Sequence, residues 1–337
     1  MKGEGQVGGA TGGEGRGLSG AMMEVGRSAE NVFYSFLGLI ADTLGFTAKA
    51  TTKKSEVGEY FSGLGAKLGE ASAELEKVAS KASAGVDKDG VFDKAIKTAV
   101  DTAKITLSTL KGHLESLKGI GDSSLVGEVK SDNKQGVAAG TEELKIVYKA
   151  LKGIVDTAVE LGVDKLKESA ITLANGTIGV NDAKNGAKVL ATGAAAGSAV
   201  GDKAALIVSS VRGEEMLASI VKSAEGDAAG TISENVSGTT SALKFARGGN
   251  DASHLAQDAA LAGAVSGGIA LRSLVKGGKL AAKDNNDDKA VQRAGITAVN
   301  KLLVAVEGIV KKTVKNVLEK VKQEVDKARE PKASGKQ

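Results

Sequence analysis

The sequence predicts an all-α protein, an elongated helical bundle in which long N- and C-terminal helices form a stem and shorter helices with loops form a head. Three observations carry that prediction. Proline is confined to Pro331, whereas ordinary usage of about 5% would place roughly 17 in a chain this long, each able to break a helix interior. Large apolar residues step by three and four along most of the chain, the spacing of one helix face. With no Trp, six Phe and three Tyr, the core must be aliphatic, which suits narrow helix–helix seams better than an aromatic-walled pocket.

Residues 1–26 hold ten glycines and show no apolar period, so they read as a flexible tether. Ser28 has an N-cap side chain for a first amphipathic helix with Val32, Phe33, Phe36, Leu37, Ile40 and Leu44 on its face, ending near Lys49. Ser55 opens a second, whose Val57, Phe61, Leu64, Leu68, Ala71, Leu75 and Val78 keep a 4-3 spacing along a narrow seam. Asp89-Gly90 marks a turn. A third helix then runs from Val91 to about Lys118, with Ile96, Val100, Ala103, Leu107, Leu110, Leu114 and Leu117 on its seam. Periodicity lapses over 119–140, which reads as a loop. Thr141 is expected to cap a fourth helix, with Glu142 and Glu143 favouring its dipole and Leu144, Val147, Leu151, Ile154, Ala158 and Leu161 on its seam.

From about Gly162 to Lys283 short helical patches alternate with breaks at Asn175-Gly176, Asn185-Gly186, Gly226-Asp227 and Gly248-Gly249-Asn250. Gly193–Gly201 and Ala259–Ala270 are almost entirely small residues and are expected to be closely packed inner helices. After the polar loop Asp284–Asp288, a last helix spans Lys289 to Arg329, about 60 Å at 1.5 Å per residue. Ile296, Val299, Leu303, Val306 and Val310 form its first seam, and Val314, Val317, Val321 and Val325 continue it in a shifted phase. Such a helix needs long partners to bury its stripe. The N-terminal helices are the candidates, an arrangement that brings both termini to one end. The organisation expected is a tether at 1–26, a single elongated helical domain over 27–330 and a disordered tail at 331–337. Within the domain, 27–118, 141–161 and 289–330 form the stem, and about 119–140 and 162–288 form the head.

The net charge is +4, with ten Lys/Arg against five Asp/Glu in residues 301–337 and near-neutrality elsewhere. A basic excess confined to one end argues against nucleic acid as a partner, since such binders spread positive charge over a whole face. It fits a segment near an anionic surface or a solvated helix end. The absence of Cys excludes disulfides and thiolate metal sites. No signal-peptide core follows Met1, and Ala259–Leu271, uncharged throughout, is shorter than the about 20 residues that span a bilayer.

No catalytic, cofactor-binding or metal-binding residue is assigned, no cofactor is expected, and the chain does not read as an enzyme. Gly3-x-Gly5-x-x-Gly8 and Gly15-x-Gly17-x-x-Gly20 match a dinucleotide-binding string, but neither follows a strand or opens a βαβ unit. Asp284, Asn286 and Asp288 match the start of an EF-hand loop, yet Lys289 and Gly295 stand where a turn glycine and a bidentate acid are required; a solvated loop with a helix N-cap explains them better. His113 and His254 lie in separate elements, with a packing or surface role expected for His113. Glu214-Glu215 is ordinary surface content, and Gly197–Lys203 lacks the Gly-Lys-Ser/Thr core of a phosphate loop.

Three blocks are long and specific: Asn31–Phe46 (NVFYSFLGLIADTLGF), Tyr60–Gly65 (YFSGLG), and Ile269–Lys283 (IALRSLVKGGKLAAK) with the Lys-rich helix after it. Together with the seams between them they resemble the variable large proteins of relapsing-fever Borrelia, a family related to VlsE of Lyme spirochaetes. Leu271, Arg272, Lys276, Gly278 and Lys283 match the VlsE stretch known as an invariable region; Ser273 and Gly277 depart from it. The resemblance implies an outer-membrane lipoprotein at the cell surface that evades immunity by antigenic variation. Its stem would be membrane-proximal and its changeable head would face host antibodies. The stretches expected to be exposed are 121–140, 175–187, 225–237 and 247–253. The family's lipidated N-terminal Cys has no counterpart here, where Met1-Lys2 stands first, so the chain reads as a soluble form without signal or anchor. One acyl group alone holds a bilayer marginally, and basic residues such as Lys311, Lys312 and Lys315 would add a charge term. The alternative reading is an adhesin for a glycosaminoglycan or a serum protein, which the near-neutral head disfavours.

Overall fold

The computed structural model describes residues 45–83, 91–193 and 195–329. Among them the repeating structure is helical: α1 (Lys54–Ser83), α2 (Val91–Ser116), α3 (Thr141–Glu160), α4 (Gly201–Ser209), α5 (Gly213–Lys222), α6 (Ala242–Arg247), α7 (Ala252–Leu255), α8 (Ala262–Leu274) and α9 (Asp288–Arg329). Short 3-10 segments cover Leu117–Gly119, Ala183–Leu190 and Glu225–Ala229. Extended pairing among the described residues is limited to isolated bridges. The fold is all-α.

The protein divides into two compact units, to both of which α1, α2 and α9 contribute residues. The first takes in described residues 67–83, 91–109 and 314–329. Its core is the expected set of seams: Leu68, Ala71 and Leu75 of α1, Val100, Ala103 and Leu107 of α2, and Val314, Val317 and Val321 of α9 are all buried. Lys104 and Glu76 form an ion pair at 2.8 Å between α2 and α1. Along α2, the Thr98, Thr102 and Thr106 hydroxyls donate to carbonyls four residues back, so these β-branched residues need no other partner on the outward face.

The second unit holds 45–66 and 110–313. Here Val57, Phe61 and Leu64 of α1, Leu110 and Leu114 of α2, the α3 seam from Leu144 to Ala158, and Val299, Leu303, Val306 and Val310 of α9 are buried. α1 and α9 are tied by the Tyr60 hydroxyl, which donates to the Glu307 carboxylate. Burial pushes the Tyr60 phenol up, and the Glu307 bond and charge add to the shift. Phe46 stacks on Tyr60 at 5.0 Å.

Four expectations need correction or restriction. The first helix, expected to reach Lys49, lies mostly outside the described residues, but 45–49 are not helical. Asn300 takes both backbone groups of Ala48, accepting its N–H at 2.8 Å and donating to its C=O at 3.1 Å, which uses the pairing capacity a helix would need. Thr141 is the first helical residue of α3 rather than its cap; Gly140 holds that place without a side-chain bond. Gly193–Gly201 is not an inner helix: the described residues before Gly201 form bends and irregular backbone. Its small residues serve close backbone approach instead, since a Cβ at Gly193 would lie 2.6 Å from that of Asn250. The 1–26 tether, the 331–337 tail and Asp89-Gly90 lie outside the described residues, as does the expected meeting of the termini.

Candidate functional site

Every residue of α8 from Ala262 to Leu274 is buried. α4, α5, α6 and the 183–190 segment pack around it, so it has no outward face. That encasement follows from composition: Gly263 meets Ser219 of α5, Gly267 lies 3.0 Å (as a Cβ position) from Ala242, and Gly268 presses on Phe245 of α6. Adding side chains at these glycines would force the helices apart. The expectation of a closely packed inner helix over Ala259–Ala270 holds.

Two cations sit inside this core without a carboxylate partner. Lys54, the first residue of α1, is fully buried and donates through Nζ to the Arg272 carbonyl at 3.4 Å, the Val275 carbonyl at 3.0 Å and the Gly278 carbonyl. These acceptors belong to the last turn of α8 and the residues just beyond it, where helix carbonyls lack intrahelical donors and the dipole favours positive charge. Burial lowers Lys54 to about 8, against the opposing pull of Asp122 and Glu128. Arg272 plays the same part for α6: Nε donates to the Ala246 carbonyl at 2.8 Å and Nη2 to that of Phe245 at 3.4 Å. Its guanidinium is lowered to about 9 by burial and by the charge of Arg247. Gly248, at φ +69, ends α6 beneath this guanidinium, and a Cβ there would collide with both Arg272 and the Leu190 carbonyl.

Beyond α8 the chain turns at 275–278, where the Gly278 N–H donates to the Val275 carbonyl at 3.2 Å and Gly277 has φ +76, and then pairs with the 120–140 loop. Lys276 N–H donates to the Ile120 carbonyl at 2.7 Å, Leu280 N–H to that of Glu128 at 2.9 Å, and Val137 and Lys279 exchange a bonded pair at 2.9 Å each way. Lys279 and Glu128 form an ion pair at 2.8 Å. Asp122 accepts the Gly277 and Ser124 N–H groups at 2.9 Å. Burial pushes its carboxyl up, but these bonds, the Ser124 hydroxyl and the Lys54 charge outweigh it and hold the group low. The whole stretch resembling an invariable region is thus inner framework: only Lys276, Gly277 and Lys283 are exposed.

Asp287, which has no motif in the sequence to single it out, caps α4 from a distance. Its buried carboxylate accepts the Val200 N–H at 3.0 Å, the Gly201 N–H at 2.9 Å and the Lys283 N–H at 3.2 Å. Two of the backbone donors that a phosphate would need near Gly197–Lys203 are therefore occupied by an internal anion. Replacing Asp287 with alanine is expected to cost about 2 kcal/mol, as for strong N-caps, read as a lowered denaturant midpoint.

The other motifs resolve into structure. His113 lies flat against Gly153 of α3, where a Cβ would strike its ring, and burial lowers its pKa. Asp284 closes its own turn on the Asn286 N–H at 2.9 Å, and Asp288 pairs with Lys134 at 2.5 Å. Glu215 accepts the Arg212 N–H at 2.8 Å at the start of α5. Among the described residues no group of three His, Cys, Asp or Glu side chains could hold a metal ion, and no helix is long and apolar enough to cross a membrane. The exposed stretches need trimming. Asn175–Asp182 and Ser233–Asn235 with Ser237–Thr239 are largely exposed, but Ala183, Gly186, Ala187, Gly248 and Gly249 are buried, and at the three glycines neighbouring backbone leaves no room for a Cβ.

This arrangement has known counterparts. Residues 29–325 match the family model described as Borrelia lipoprotein. Variable large protein 25 of Borrelia hermsii is 64% identical over 98% of this chain and 90% of its own length. Variable large protein 21 of the same organism is 59% identical over 98% and 90%. The crystal structure of the Lyme disease variable surface antigen VlsE of Borrelia burgdorferi superposes with a TM-score of 0.69 at 27% identity, covering 91% of this chain and 98% of that one. With the family model matched over residues 29–325 and relatives 64% and 59% identical over nearly the whole chain, this chain belongs to the Borrelia lipoprotein family and, within it, to the variable large proteins.

Proposed function

We infer that this protein is a variable surface antigen, lipid-held at the spirochaete's outer surface, whose exposed turns meet host antibodies while its buried frame keeps the fold. The observation that carries this reading is the partition of burial around α8. Leu173, Ala183, Ile232, Val236 and Ala242 are buried anchors, and the turns between them, 175–182 and 233–240, point most of their side chains outward. Exposed turn residues on a rigid scaffold change at little cost, typically within about 0.5 kcal/mol each. Antibody recognition of the same residues is sensitive to single side chains, because a few contacts dominate an interface. Escape then needs no change in the core. The work of the molecule is steric and antigenic rather than catalytic.

The test exchanges 175–182, 233–235 and 237–240 for the corresponding residues of a relative, keeping the buried Val236. Serum antibodies raised against this protein are expected to lose most of their binding to the chimera, whose unfolding free energy, from denaturant titration, stays within about 1 kcal/mol of the parent's. Undiminished binding to a folded chimera would move the recognised surface elsewhere.

A further inference from the structure

The sequence holds two Asn-Gly pairs, Asn175-Gly176 and Asn185-Gly186, and the fold puts them in opposite situations. Asn175 and Gly176 are both exposed, Gly176 has φ +82, and a Cβ there would meet nothing within 4 Å. The surrounding turn closes through Thr177 N–H to the Ala174 carbonyl at 3.1 Å and Gly179 N–H to the Gly176 carbonyl at 3.4 Å, bonds in which the Gly176 N–H takes no part. Asn175 Oδ1 accepts the Asp182 N–H at 2.8 Å.

We propose that Asn175 is a site of spontaneous deamidation in the folded protein and that Asn185 is protected from it. Hydroxide removes the Gly176 amide proton, and the nitrogen forms a bond to Asn175 Cγ. The bond from Cγ to Nδ2 breaks, ammonia departs, and a five-membered succinimide is left. Water then opens the ring at either carbonyl, giving aspartate or isoaspartate. One water is consumed and one ammonia released, with no change of oxidation state. Glycine as the following residue permits the attack because no Cβ hinders its nitrogen. Negative charge gathers on Oδ1 as the tetrahedral intermediate forms, and the Asp182 N–H already donates to that atom. Solvent reaches the turn, and its backbone can rotate without disturbing packed neighbours.

Asn185-Gly186 has the same chemistry and none of this freedom. It lies in the Ala183–Leu190 segment, where the Asn185 N–H donates to the Asp182 carbonyl at 3.0 Å. Gly186 is buried, and a Cβ on it would be 2.5 Å from the Ala204 nitrogen at α4. Ring closure must swing the glycine nitrogen toward the Asn185 amide, and close-packed surroundings resist that movement. The reaction at Asn175 replaces a neutral amide with a carboxylate on one of the turns assigned above to antibody contact; the modification itself does not depend on that assignment.

The test incubates the intact protein at physiological temperature and mildly alkaline pH, natively and in denaturing urea, in heavy-oxygen water. Acid-quenched samples are digested and the label is located by fragment-ion mapping. In the native sample Asn175 is expected to convert about tenfold or more faster than Asn185, a barrier difference of about 1.4 kcal/mol; in urea the two rates converge. Asn175→Gln should abolish conversion at the first pair and leave the second unchanged. Equal native rates would overturn the proposal. So would an Asn175 that stays intact while the denatured protein converts at both pairs, or label arising at 175–176 in Asn175→Gln.

Discussion

Arg272→Ala is expected to destabilise the protein by about 3–5 kcal/mol. Three terms combine. A long side chain leaves a void in a core that α8 cannot collapse into, because its glycines already touch α5 and α6. The Phe245 and Ala246 carbonyls lose the donors that satisfy them, and a buried acceptor without a donor costs about 1–3 kcal/mol. Opposing both, removal of the guanidinium relieves a fully buried charge. Arg272→Met separates these terms. It fills the space, keeps the charge relief and still abandons the carbonyls, so its loss should be smaller. Denaturant titration of both variants is the measurement. Equal losses would show that the unpaired carbonyls, not the void, dominate.

Lys54→Met yields the second large effect, and its signature is in pH. The folded ammonium is lowered from 10.5 to about 8, first by burial. Between those values the unfolded state binds more protons than the folded one, so this group's contribution to stability rises with pH. Below about pH 8 the charge-burial cost is fully present; above about pH 10.5 it has gone. Two and a half pH units amount to about 3 kcal/mol. Neutral lysine still donates to the carbonyls around it, so the wild type's advantage over Lys54→Met should widen by up to about that amount from pH 7 to pH 10.5. Taking the difference cancels groups that titrate in both proteins. An advantage independent of pH would mean that folded Lys54 keeps its ammonium throughout, its pKa not lowered by burial.

What can be read from the sequence divides along a physical line. The seams of α1, α2, α3 and α9 are legible because periodicity is local: Leu68, Leu107, Leu151 and Val306 declare their face within one or two helical turns. The clasp is not. Lys54 reaches acceptors more than 200 positions away, and Asp287 caps a helix that begins 86 residues earlier, so neither has a local signature. Arg272 does have one, a lone cation at the end of an uncharged run, but it stands out only through a family resemblance. Gly193–Gly201 misleads because small residues permit close approach of any backbone, helical or extended. Of the packing or surface role expected of His113, the structure shows packing, and its seat on Gly153 requires knowing that α2 and α3 pack together.

The acceptors around Lys54 and Arg272 are all main-chain oxygens, those of Phe245, Ala246, Arg272, Val275 and Gly278. Every amino acid supplies that oxygen. Apart from Arg272 itself and Gly278, where a Cβ would lie 2.4 Å from the Arg272 carbonyl oxygen, the receiving positions can change identity without altering what the cations grip, provided the local backbone path is kept. The fastening is therefore blind to the side chains it fastens, which suits a protein whose lineage rewrites its residues while reusing one shape.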